Sequence, residues 1–222
     1  MKSWLVFLII LSGIVLHLDA EEPFTNYFTV ARLKYGGGGD WYNDPSAIPN
    51  LLEELKKRTQ ITAASDQVIV ELNDERLFNY PFLFITGHGN IKFTSQEAQQ
   101  LRLYLENGGF LYIDDDYGMD RSVRREIRKV FPDSKLVELP FSHAIYHCHY
   151  SFPHGLPKVH EHDGKAPRGY GVFLDKRLVL FYTYETNISD GWADPDVHKD
   201  PPKKREQAFK MGTNIIVYSL LN

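Results

Sequence analysis

The chain alternates short apolar runs with stretches of helical period, and nothing else in the sequence narrows its fold as much. Residues 81–86 and 110–113 are continuous apolar runs of strand length. Such runs suit strands buried on both faces of a parallel sheet. Residues 28–33 alternate apolar and polar side chains toward Tyr35, and residues 67–72 hold a short Val-Ile-Val run, so both predict strands. Between the runs lie helical stretches. Asn43 or Asp44 with Pro45 offers a start for a helix burying Leu51, Leu52 and Leu55. Thr94 or Ser95 with Glu97 starts a second, which buries Ala98, Leu101, Tyr104 and Leu105 and stops at Asn107-Gly108-Gly109. Asp120 heads a basic helix over 121–131, whose Arg121, Arg124, Arg125 and Arg128 read as a solvated face. Residues 137–141 predict a strand, 142–167 a long loop, 170–174 and 178–184 a hairpin, 187–202 a loop, and 204–220 a closing helix. This order calls for an α/β sandwich with a mainly parallel sheet.

Lys2, an apolar run over 4–16, and Ala20 before Glu21-Glu22 describe a secretory leader over residues 1–20, ahead of one domain over 21–222. The run is too short for a mature membrane span, so no stable span is expected once the leader is removed. An uncleaved N-terminal anchor is the alternative, weakened by Gly13 and His17. The charge balance, 25 Lys and Arg against 29 Asp and Glu, lacks the basic excess of a polyanion binder, so no nucleic-acid partner is expected. The single cysteine, Cys148, excludes an internal disulfide and a cysteine-rich zinc site, and it reads as a packed side chain.

In parallel α/β sheets, ligands bind beyond the carboxyl ends of the strands. Three strand ends carry unusual sequences. Gly36 to Gly39, followed by Asp40 and Trp41, offers either backbone donors for an anion or a plain turn. Gly87-His88-Gly89 permits a tight turn that could aim N–H groups at an oxyanion, with His88 a candidate for a carboxylate or a metal. Asp114-Asp115-Asp116, followed by Tyr117, is the sharpest feature. Three carboxylates after a buried strand need cations, donors or water, so metal binding and helix capping stand as alternatives. Alternation places Asp114 and Asp116 on one side and Asp115 on the other. Among the clustered histidines, His143, His147 and His149 are the candidates for this rim, whereas His154, His160 and His162 read as loop residues. His147-x-His149 would share a face if extended. The candidate metal set is Asp114, Asp115, His88 and His147, for a divalent ion. Trp192, in Asp190-Gly191-Trp192, either walls a pocket or packs.

The Gly87-His88-Gly89 strand end, the Asn107-Gly108-Gly109 stop, the strand with its Asp run and the 143–149 segment together resemble the bacterial family called domain of unknown function 4159. The resemblance spans about residues 27–221. That family is similar to the class I glutamine amidotransferase-like superfamily, which implies a flavodoxin-like three-layer sandwich and, with the leader, an exported protein of the bacterial periplasm. In the amidotransferases a cysteine nucleophile follows the strand that here ends in Asp114 and Asp115. A carboxylate is a poor substitute in amide cleavage, so glutaminase activity is not expected. Two functions stand ahead of a third, a glycan-processing site that uses an Asp pair as acid and base. One is a module that binds a ligand or an exported protein partner on the rim, with no cofactor. The other is a metal-dependent hydrolase with Asp and His ligands.

Overall fold

A computed structural model describes residues 27–160 and 162–222. The expected leader lies outside them. The strands β1 (Val30–Leu33), β2 (Val68–Val70), β3 (Phe82–Ile85), β4 (Phe110–Asp114), β5 (Val137–Glu138), β6 (Arg168–Leu174) and β7 (Arg177–Tyr184) form one sheet in the order β2-β1-β3-β4-β7-β6-β5. The first five in that order are parallel, while β6 and β5 add antiparallel at the edge. The chain therefore has the α/β fold that its alternation predicts. β7 is the decisive strand, because it closes a hairpin with β6 and also pairs parallel to β4. Its carboxyl end consequently opens on the same rim as those of β1, β3 and β4.

Alternate side chains of the central strands feed two cores. Phe82, Phe84, Phe110, Tyr112 and Phe181 face the helices α1 (Ala47–Arg58) and α5 (Pro202–Leu221). On the opposite face Leu83, Ile85, Leu111, Ile113, Leu180 and Tyr182 meet α2 (Ser95–Glu106) and α3 (Asp120–Val130). A ladder of rings crosses the first core, Phe84 on Tyr112 at 5.6 Å and Tyr112 on Phe181 at 6.0 Å. α5 approaches closely at Gly212, where a Cβ would come within 2.7 Å of both Leu51 and Trp192. None of the helices among the described residues is long and apolar enough to cross a membrane.

Several local expectations change. α2 carries the Thr94–Glu97 capping box as its sequence predicts. α1 begins later than expected, after Ser46, which leaves Asn43 and Asp44 free for other work. α3 begins at Asp120 itself, and the strand expected over 137–141 shortens to two residues. The loop expected over 187–202 holds a short turn of 3₁₀ helix (Ser189–Trp192) and the four-residue α4 (Pro195–His198). β1 is buried throughout although its sequence alternates, because it lies inside the sheet. Its Arg32 is 1% exposed and donates to the carbonyls of Trp41 (3.3 Å), Asn43 (2.5 Å) and Asp44 (3.4 Å). A residue that pattern reading sends to solvent thus fastens the loop after β1 onto the rim.

Candidate functional site

The rim holds a cleft of about 360 Å³ lined by His88, Asp116, Tyr117, His160, His162, Asp190 and His198. Four chain segments build it. The turn after β3 brings His88, and the end of β4 brings Asp116 and Tyr117. The segment before β6 brings His160 and His162, and the segment after β7 brings Asp190 and His198. The last two meet because the open end of the β6–β7 hairpin pairs Arg168 with Tyr184. The Thr186 carbonyl then accepts from the N–H groups of Val159 (3.1 Å) and His160 (2.9 Å), which ties the two segments together.

Gly87 sits at φ +138°, and a Cβ there would collide with the Tyr35 hydroxyl and with Asp40. That tightness delivers His88 to two carboxylates. Its Nδ1 lies 2.9 Å from Asp40 Oδ2 and 3.3 Å from Asp116 Oδ2. Burial works against the charged imidazole, but Asp116, Asp40 and Asp190 outweigh it and raise the His88 pKa. The turn does not form an oxyanion hole. The His88 N–H is spent on Asp40 Oδ1 (2.5 Å) and the Gly89 N–H on the Tyr117 carbonyl (3.0 Å). The glycine run is partly committed as well. The Gly39 N–H donates to the Asn90 carbonyl at 3.1 Å, and Gly36 pairs with Lys92.

The three aspartates part company. Asp114 accepts from the Thr183 hydroxyl on β7 (2.5 Å) and from the Ser189 N–H (2.6 Å), so one oxygen ties it to the neighbouring strand and the other docks the turn after β7. Asp115 turns to the other side, as alternation requires, and accepts from the Met119 N–H (2.9 Å) and the Tyr182 hydroxyl (3.2 Å). Asp116 alone reaches the cleft. It accepts from the side-chain amides of Asn43 and of Asn187, the latter at 2.5 Å. The structure does not bring the metal set expected from the sequence together. Asp114 and Asp115 have their oxygens committed elsewhere, and His147 bonds to the Phe141 carbonyl at 2.7 Å. His143 packs on Phe173 and Tyr218, and His149 lies beside Lys57 to Ile61 and the end of α5. That is the opposite edge of the sheet, since Phe173 pairs with Leu178 at the start of β7. Trp192 is core, its Nε1 donating to the Ala208 carbonyl, and Trp41 stands edge-on to Tyr42 outside the cleft lining. Tyr117 is 53% exposed and stacks on His162 at 5.2 Å.

Burial pushes the Asp115 carboxyl up to about 6. The folded chain holds that proton more tightly than the unfolded chain. The associated stability is therefore complete below the ordinary carboxylate range near 4 and is lost as pH rises through about 6. Asn at 115 can still accept from Met119, so Asp115→Asn is expected to abolish this pH dependence. Urea unfolding at pH 4 and pH 7 should show wild type losing about 2 kcal/mol more than the variant over that interval. Equal losses would refute the assignment.

Residues that the sequence reading passed over complete the cleft. His160 Nδ1 lies 2.7 Å from Asp190 Oδ2, and His198 Nδ1 lies 3.5 Å from the same oxygen. The other nitrogen of His198, Nε2, sits 3.0 Å from both Asp44 oxygens. The ligand atoms of His160, Asp190 and His198 fall within 4.8 Å of one another, as do carboxylate oxygens of Asp44, Asp116 and Asp190. Both groups could hold a metal ion. Asp116 is 2% exposed and Asp190 1%, and Asn187 Nδ2 bridges them. Burial, with the Asp190 charge adding to it, lifts the Asp116 carboxyl to about 7, and burial likewise raises Asp190. The Oδ1 atoms of Asp190 and of the fully buried Asn187 have no hydrogen-bond partner among the described residues.

A family model described as "Domain of unknown function (DUF4159)" matches residues 29–220. The chain belongs to that family, which the sequence resemblance had indicated. No curated protein matches it.

Proposed function

We propose that this member of the DUF4159 family is an exported metal-dependent hydrolase, with the ion held by His160, Asp190 and His198. The observation that carries this reading is the convergence of two imidazoles on one oxygen of a buried carboxylate in an open cleft. Two zinc ligands about 2 Å from the ion in tetrahedral geometry stand roughly 3.4 Å apart. The 2.7 and 3.5 Å separations bracket that figure. Electrostatics supports the same reading. Two carboxylates 4.8 Å apart repel by about 3 kcal/mol at an effective dielectric of 20. Three of them gather here within that distance, so the group needs protons or a cation.

Three protein ligands with an open position are the pattern of catalytic rather than structural zinc. A bound divalent ion would supply a Lewis acid and a water of lowered pKa. The chain's own part is played by Asp116 and His88, which form an ion pair at 3.3 Å in the cleft. Asp40 holds His88 from behind, and the amides of Asn43 and Asn187 fix Asp116. In our reading this pair accepts and passes on a proton. The strand order also supports the flavodoxin-like, amidotransferase-like reading of the shell, since β2-β1-β3-β4-β7 repeats the 2-1-3-4-5 pattern of flavodoxin. Asp114 and Asp115, both committed to structural bonds, then stand where those enzymes carry a nucleophile.

Chelator-stripped protein reloaded with zinc or manganese, assayed on p-nitrophenyl acetate and p-nitrophenyl phosphate, tests the proposal. Metal-dependent turnover is expected, with Asp116→Asn lowering it on the order of 100-fold while the ion stays bound. Ion binding without turnover on either ester would leave a ligand- or protein-binding module instead.

A further inference from the structure

A second concavity, of about 560 Å³, adjoins the cleft and is lined by Gly89, Asn90, Gly118, Arg121, Ser122, Arg125 and Arg128. Its three arginines stand at i, i+4 and i+7 on one face of α3. Three basic residues of the helix have carboxylate partners: Arg124 pairs with Asp120 at 2.7 Å, and Arg125 (2.5 Å) and Lys129 (2.7 Å) both pair with Glu126. Arg121 and Arg128 are exposed and have neither an ion pair nor a hydrogen bond with any described residue. Arg125 is held in place, its guanidinium donating to Asn90 Oδ1 (3.0 Å) and to the Ile91 carbonyl (2.5 Å). The floor is open backbone. Gly89 and Gly118 have positive φ, and a Cβ on either would meet nothing within 4 Å. These glycines directly follow His88 and Tyr117, so groove and cleft are two sides of the same pair of turns.

We propose that this groove is an anion subsite, in which Arg121, Arg125 and Arg128 take a phosphate group of a substrate whose other end enters the His/Asp cleft. The link to the cleft rests on the hydrolase reading above; the anion site itself does not. Guanidinium groups match oxyanions in a planar, two-point fashion that a lysine cannot provide. A phosphate offers three acceptor oxygens and nearly two charges to the guanidiniums of Arg121 and Arg128 and to the remaining Nη1 of Arg125, which a single carboxylate does not.

Titration calorimetry with inorganic phosphate tests the groove, using chelator-stripped wild type, the double variant Arg121→Ala/Arg128→Ala, and His198→Ala. Both arginines are exposed and unpaired, so the double variant should fold, and an unchanged melting temperature checks this. Wild type and His198→Ala are expected to bind phosphate equally, and the double variant at least tenfold more weakly. Acetate should bind wild type far more weakly than phosphate. Absence of phosphate binding to wild type, undiminished binding in the double variant, or acetate binding as tight as phosphate would overturn the proposal. Loss of phosphate binding in the double variant supports the groove even where no ester is hydrolysed, so the two readings fail separately.

Discussion

His198→Ala is expected to weaken zinc binding by more than 100-fold. The expectation follows from how His198 is held. It lies on the short α4, and both Asp44 oxygens grip its Nε2 at 3.0 Å, which turns Nδ1 toward Asp190. A carboxylate behind a histidine fixes the ring's orientation and raises its basicity, and losing such a partner alone costs about 10- to 100-fold in metal affinity. Asp44→Asn should therefore weaken binding by about tenfold or more, and removal of the imidazole by more than that. Calcium should bind poorly in either case, because it asks for six to eight oxygens and this site offers two imidazoles. Zinc titration of the purified variants checks both numbers. Affinity unchanged in His198→Ala would mean that the ion is held by other residues.

Arg32→Met is expected to lower stability by about 3 kcal/mol and to spoil the cleft with it. The buried guanidinium donates to three successive-loop carbonyls and lies over the Phe84 ring at 5.6 Å. Methionine keeps much of the volume and removes every donor, so the carbonyls of Trp41, Asn43 and Asp44 all lose the bond from the guanidinium. Asn43 and Asp44 are the residues that hold Asp116 and His198. The loop's release should thus appear twice, in urea unfolding and as weakened zinc binding at a temperature where the variant remains folded. A variant within about 1 kcal/mol of wild type, with full zinc affinity, would show that the loop is fixed by other contacts.

Most of the scaffold could be read from the sequence. The apolar runs at 81–86 and 110–113 are strands because only a doubly buried strand tolerates such continuity, and the Thr94–Glu97 box starts its helix. The rim was legible at His88, Asp116 and Tyr117, because each directly follows a buried parallel strand. Reading fell short where a residue's position depends on partners far away in the chain. The 142–160 segment does not run along the rim. It crosses the α5 face, where Asn214 accepts from the Tyr150 N–H and donates to the Ile145 and Tyr150 carbonyls, and reaches the rim only at His160. His147 and His160 have the same chemistry in the sequence, and only the path between them decides which one meets Asp190. A signal was present for His160, Asp190 and His198. A hairpin whose second strand continues a parallel sheet must bring the segments at its open end to the ligand-binding rim. Asn43 and Asp44 were hidden by ambiguity of another kind, since Asn and Asp before Pro45 describe a helix start equally well.

The central claim is that a divalent ion sits on His160, Asp190 and His198. Anomalous diffraction at the zinc absorption edge, from crystals grown with one equivalent of zinc, tests it most directly. One strong peak is expected about 2 Å from a nitrogen of each imidazole and from an Asp190 oxygen. A peak on Asp114 and Asp115, or at His147, or no ordered zinc in the cleft at all, would contradict it.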